Sequence, residues 1–72
     1  MKRTSRRYSA LMDKLNALLD RLKNRQRDLI MAAAEHDTLP AVSVLRQISE
    51  LENAIAAVEA VAGELQDAIA RA

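Results

Sequence analysis

Between residues 41 and 69 the apolar side chains recur at alternating steps of three and four: Ala41, Val44, Ile48, Leu51, Ile55, Val58, Ala62, Leu65 and Ile69. An α-helix gathers such a series on one face, whereas the alternation of a strand would scatter it over both. The repeat runs for about four heptads, so a long helix with a coiled-coil-like seam is the conformation that buries all of it together. Alanines between the repeat positions favour helix as well. Gly63 is the exception, at a cost of about 1 kcal/mol relative to Ala in a helix interior. It either admits a closely approaching backbone or is simply tolerated.

The N-terminal part carries a wider version of the same pattern. Tyr8, Leu11, Met12, Leu15, Leu18, Leu19, Leu22, Leu29 and Ile30 are separated by helical spacings. With Tyr8, Leu15, Leu22 and Leu29 at heptad position a, Leu11 and Leu18 fall at d and Met12 and Leu19 at e. Arg25 and Gln26 interrupt this stripe. Ser5 or Ser9 is placed to cap the helix start, and nothing that breaks a helix occurs before His36. The only proline, Pro40, follows Asp37 and Thr38, which are the clearest N-cap residues. Because Pro is accepted in a first turn and resisted in an interior, a second helix is expected to begin near residues 38–40.

The expected fold class is therefore all-α, an antiparallel two-helix hairpin formed by one domain over residues 1–72. Helix 1 covers about 5–36, the turn 36–39 and helix 2 about 39–71. Each helix would be about 45 Å long at 1.5 Å per residue. The hairpin seam draws on Leu15, Leu22 and Leu29 from helix 1 and on Ile48, Leu51, Ile55, Val58 and Leu65 from helix 2.

Charge is divided along the chain although the net value is only +1. Residues 1–27 hold nine cations and two acids, a balance of +7; residues 28–72 hold two cations and eight acids, a balance of −6. Such a split either marks a nucleic-acid-binding arm or neutralises itself when the halves pack together. In a hairpin with its turn at 36–39, paired residues have numbers that sum to about 75. Arg25 would then meet Glu50, Lys23 would meet Glu52 and Arg7 would approach Asp67.

The composition excludes most chemistry. The chain has no Cys, Trp or Phe, one Tyr, one Gly and one His in its 72 residues. Disulfides and thiolate metal sites are impossible, and a single glycine cannot form a phosphate-cradling loop. His36, flanked by Glu35 and Asp37, reads as a turn or C-terminal cap histidine, since adjacent residues at a helix end do not converge on a metal. No catalytic, cofactor-binding or metal-binding residue is expected, and no Ser-His-Asp or Cys-His set can be assembled. The longest apolar run covers residues 29–34, well short of the roughly 20 residues of a membrane span. With no apolar segment after the basic first residues to act as a signal peptide, the expected location is the cytoplasm, away from the membrane.

A chain this short, with one aromatic residue, buries a modest fraction of its surface. Its apolar surface also exceeds what one hairpin seam can cover. Met12, Leu19 and Ile30 on helix 1, with Val42, Leu45 and Val61 on helix 2, fall off the shared seam and are the candidate partner-binding residues. Their cover is either a second copy, giving a symmetric four-helix dimer, or a groove on a different protein. A further candidate is the basic segment Lys2, Arg3, Arg6 and Arg7, which can supply salt-dependent affinity for nucleic-acid phosphates.

One stretch carries a family resemblance. Residues 51–65, with Leu51, Ala54, Ile55, Val58, Val61, Ala62, Gly63 and Leu65, resemble the C-terminal helix of the small YscE-type proteins of bacterial type III secretion systems. The layout of the chain over residues 11–65 is similar to theirs as well, two antiparallel helices around a short turn. The resemblance implies a cytoplasmic co-chaperone in protein transport. Such a protein pairs with a helical-repeat chaperone, and the two together hold the secretion needle subunit soluble before export. The leading expectation is thus a non-enzymatic protein-binding co-chaperone. The alternative is a small homodimeric nucleic-acid-binding or regulatory helical protein using its basic N-terminal segment.

Overall fold

The computed structural model describes residues 2–71, with side chains from Arg6 to Arg71. It contains two helices, α1 (Lys2–Ala34, 33 residues) and α2 (Val42–Arg71, 30 residues). They run antiparallel, because Gln26 of α1 reaches Ile48 and Glu52 of α2 while Lys23, one turn earlier, reaches Glu59. The result is a rod of 55 × 14 × 14 Å. Its radius of gyration is 16.4 Å, against about 11 Å for a compact chain of this length. The all-α hairpin expected from the sequence is the fold.

The seam is regular on both sides. From α1 it takes Tyr8, Met12, Leu15, Leu19, Leu22, Gln26, Leu29 and Ala33, and from α2 Val44, Ile48, Leu51, Ile55, Val58, Ala62, Leu65 and Ile69, all buried or half-buried. Leu19 and Ile55, at 9% and 5% exposure, are the two most deeply placed. This corrects the phase of helix 1. Met12 and Leu19 lie in the seam and not on a partner-facing flank, and Gln26 is a seam residue and not an interruption. The reason is the line each choice brings with it. Residues 11, 18 and 25 would carry the always-charged Arg25 between the helices, whereas 12, 19 and 26 carry the neutral Gln26, whose amide can be satisfied there. Its Nε2 donates to the Glu52 carboxylate at 2.7 Å and to the Ile48 carbonyl at 3.4 Å.

The ends differ from the expected ones. α1 already includes Lys2, so Ser5 and Ser9 lie inside it and neither is its N-cap. Its last turn tightens, with Glu35 N–H donating to the Ala32 carbonyl (3.3 Å) and His36 N–H to the Ala33 carbonyl (3.2 Å). Residues 35–41 then reverse the chain, and no described residue has a positive φ. Asp37 and Thr38 lie in this connection and not at the cap of α2. That place belongs to Ala41, whose carbonyl accepts from Val44 N–H (3.0 Å) and Leu45 N–H (3.1 Å). Pro40 precedes the helix instead of opening it, and its half-buried ring joins Leu29, Ala33 and Val44 in lining a hollow at the turn. Nothing lies within 4 Å of a methyl group built on Gly63, so the hairpin itself makes no use of close approach there.

Most of the expected ion pairs do not form. Lys23 Nζ lies 3.4 Å from Glu59, one heptad beyond Glu52, whose carboxylate is taken by Gln26. Arg25 and Glu50 line one shallow hollow without pairing, and Arg7 makes no ion pair with Asp67. Lys23–Glu59 is the one salt bridge among the described residues, with both side chains about half exposed. Pairs of this kind contribute about 0.2–1 kcal/mol. The cations of α1 and the acids of α2 are thus largely left unpaired by the fold.

Candidate docking face

Two helices in contact have one seam and two flanks, and here the flanks differ in chemistry. On one flank Ser9, Asn16 and Lys23 of α1 run opposite Glu52, Glu59 and Gln66 of α2. Both inter-helix polar side-chain links, Gln26 to Glu52 and Lys23 to Glu59, lie on this side and tie it shut with groups that also satisfy water. Ile30 and Leu45 interrupt the polar flank at its turn end, each 46% exposed.

The other flank has no such ties among the described residues. It is built from Leu11, Leu18, Arg25 and Ala32 of α1 with Gln47, Ala54, Val61 and Ala68 of α2, so Arg25 is its one charged member. Leu11 and Val61 remain 43% and 49% exposed, and Leu18, Ala54 and Ala68 are half-buried. Toward the turn the face continues into the hollow of about 270 Å³ lined by Arg25, Gln47, Glu50 and Leu51. It ends in a second hollow of about 310 Å³, whose walls include Leu29, Ala32, Leu39 and Pro40. The face is apolar at both ends with a polar waist between them.

As an elongated rod, the chain as a whole exposes more surface than a compact fold of its mass. The chain exposes 5873 Å². A compact monomer of 8.0 kDa exposes about 4,450 Å², so the rod carries an excess of about 1,400 Å². Among the described residues only Leu19 and Ile55 are buried, and no side chain is completely so. A chain that leaves its leucines half in water has little stability of its own to spare.

The residues expected to bind a partner are therefore dispersed. Val61 stands on the apolar face, Ile30 and Leu45 sit on the opposite flank near the turn, and Val42, 69% exposed, opens α2 on its outer side. Met12 and Leu19 face α2 and are unavailable. The face itself was hidden in the sequence by the position of Leu11 and Leu18, which fit the seam as well as Met12 and Leu19 do until Arg25 is weighed against Gln26. Leu39 and Met31, 90% and 60% exposed at the turn end, are further apolar groups in water.

No cluster of three potential metal ligands occurs among the described residues. His36 is exposed in the connection, on the rim of the turn hollow. Arg6 and Arg7 are exposed on α1; the side chains of Lys2 and Arg3 lie outside the described residues. No helix is long and apolar enough to cross a membrane. Compared with protein-family models, with curated proteins and with solved structures, the chain matches none.

Proposed function

We propose that this chain is a non-enzymatic docking subunit, a hairpin whose apolar face packs on another helical protein and stabilises it. The observation that carries this reading is the uncovered face itself, where Leu11 and Val61 stay 43% and 49% exposed while the opposite flank is tied by polar links. Contiguous apolar side chains left in water are a feature of protein–protein sites. A pair of parallel ridges with a groove between them suits the helix pairs of a helical-repeat protein.

The resemblance of residues 51–65 to YscE-type proteins gives this role a specific form. Of the matched residues, Leu51, Ile55, Val58, Ala62 and Leu65 lie in the seam and Ala54 and Val61 on the apolar face, while Gly63 is exposed outside both. In that form the hairpin is a cytoplasmic co-chaperone: it stabilises a helical-repeat chaperone, and through it keeps a type III secretion needle subunit from polymerising before export. Co-expression with candidate helical-repeat proteins encoded near its gene tests this. A stable heterodimer that Val61→Asp abolishes, while the variant keeps its helicity, is the expected result. A chain that stays unbound beside every such protein would overturn the co-chaperone role.

The exposed cations Arg6, Arg7, Lys14 and Arg21 along α1 favour one second reading, a nucleic-acid-binding protein. It requires duplex binding that weakens steeply between low and moderate salt and is lost when Arg3, Arg6 and Arg7 become Ala.

A further inference from the structure

The apolar seam does not by itself choose how far α2 slides along α1. Taken in order, its members match Tyr8 with Ile69, Met12 with Leu65 and so on to Ala33 with Val44, the numbers of each pair summing to 77. One step of the repeat, about 3.5 residues or 5 Å, sets Met12 against Ile69 or Tyr8 against Leu65. Every new pair that does not include Gln26 again joins large or small apolar groups. Because hydrophobic burial is non-directional, such a slip loses little beyond the pair at one end.

Gln26 removes this degeneracy. We propose that Gln26 and Glu52 act as a register pin: the amide in the seam admits one sliding position of α2 on α1, while lowering the stability that an apolar residue there would give.

The geometry at Gln26 supplies the selectivity. The residue is half-buried and, besides the Tyr8 hydroxyl, carries the only polar side-chain group among the described seam residues. Its Nε2 donates to the Glu52 carboxylate at 2.7 Å and, more weakly, to the Ile48 carbonyl at 3.4 Å. These acceptors stand one turn apart on α2, so both amide hydrogens are used. An amide that keeps its place in the seam but loses its acceptor retains the desolvation cost without the bond. That loss exceeds the net contribution of an ordinary hydrogen bond.

Acceptors on that flank of α2 are sparse. The line that carries Glu52 reads Leu45, Glu52, Glu59 and Gln66, its members seven residues or about 10.5 Å apart. One step in either direction takes the Glu52 carboxylate about 5 Å from the amide. Two steps one way put Leu45, which has no side-chain acceptor, in the place of Glu52, and move the reversal into alanines that favour helix. Two steps the other way bring Glu59 to Gln26, but Lys23 then faces Gln66, and Val44 leaves the seam as the reversal moves beyond Pro40. The observed register is the one in which Gln26 and Lys23 both have carboxylate partners.

The pin lies on the polar flank but sets the shape of the apolar one. A one-step slip carries Leu11 and Leu18 about 5 Å past Ala54 and Val61, so a constant surface there requires a single register. The pin operates whether or not that face is covered.

Spin-label distances in the full chain test the proposal. The chain has no cysteine, so Ala10→Cys with Ser49→Cys places two labels on exposed residues outside the seam, and an excess of unlabelled chain suppresses distances between molecules. In the observed register these residues stand about 27 Å apart along the rod, and a one-step slip changes the label separation by about 4 Å. The labelled chain with Gln26 intact is expected to give one distance. Gln26→Leu is expected to add a second component displaced by about 4 Å, and to raise the urea midpoint at a fixed protein concentration. Glu52→Leu, at an exposed residue, should give the same second component, and Glu52→Gln, which keeps an acceptor, should not. A single unchanged distance in Gln26→Leu or in Glu52→Leu would overturn the pin and leave the turn as what fixes the register. A second component in Glu52→Gln would overturn the hydrogen bond as its basis, and a lower urea midpoint for Gln26→Leu would overturn the loss of stability assigned to it.

Discussion

Ile55 is the best-buried residue of the hairpin, 5% exposed at the centre of the α2 seam, and its truncation gives the clearest measure of what the seam contributes. Ile55→Ala removes three carbons, about 2.4 kcal/mol at ~0.8 kcal/mol per buried carbon. In a large core the remaining cavity would add to this, as it does where Ile→Ala costs up to about 5 kcal/mol. A seam between two helices is open along both flanks, so neighbours and water fill the space and the cavity contributes little. Alanine's better helix propensity returns a few tenths of a kcal/mol. The expected loss is therefore about 2 kcal/mol, a large part of the ~3–5 kcal/mol available to a domain of this size. Urea unfolding followed by circular dichroism measures it, at one fixed protein concentration because association shifts apparent stability. Leu39→Ala, at a residue 90% exposed, is the control and should stay within about 0.5 kcal/mol of wild type. Equal losses at the two positions, or none at Ile55, would refute the assignment of the seam.

Other substitutions separate the parts of the molecule. Gly63→Ala meets open space and should stabilise the hairpin by about 0.5–1 kcal/mol; a loss in the same unfolding experiment would mean that something approaches that backbone closely. Leu19→Asp puts a charge into the seam and should abolish cooperative unfolding, while Leu45→Asp, at a residue 46% exposed, should leave the helicity intact; a reversed order would exchange their positions. Lys23→Ala removes a half-exposed pair and should lower stability by no more than about 1 kcal/mol, an effect that added salt should erase.

The sequence discloses the fold more fully than the site. The repeat from Ala41 to Ile69 can be satisfied only by a long helix, and Pro40 with the polar residues before it marks the one reversal, so the hairpin follows from pattern alone. Helix 1 is harder because adjacent large residues, Leu11 with Met12 and Leu18 with Leu19, offer two phases of equal hydrophobicity. The phase is settled two turns later, by which of Arg25 and Gln26 can be placed between helices. Choosing it also assigns the candidate docking face, since the leucines left out of the seam become its ridge. Ion pairs are less legible still. Lys23 pairs with Glu59, one heptad beyond the acid that a simple register assigns it, while Glu52 accepts from Gln26. The boundary of α2 depends on where the Pro40 ring packs, and that requires the end of α1 to be in place.

The central claim is that the flank of Leu11, Leu18 and Val61 is the surface by which this hairpin associates. Light scattering of the wild type, Val61→Asp and Gln66→Asp, each alone and mixed with a candidate helical-repeat partner over a wide concentration range, with circular dichroism on the chains alone, tests it most directly. Gln66 lies on the polar flank, so its substitution adds the same charge on the opposite side. The account predicts an associated wild type, an unchanged Gln66→Asp, and a Val61→Asp that stays helical but loses its association. Val61→Asp with the mass and concentration dependence of the wild type would contradict it.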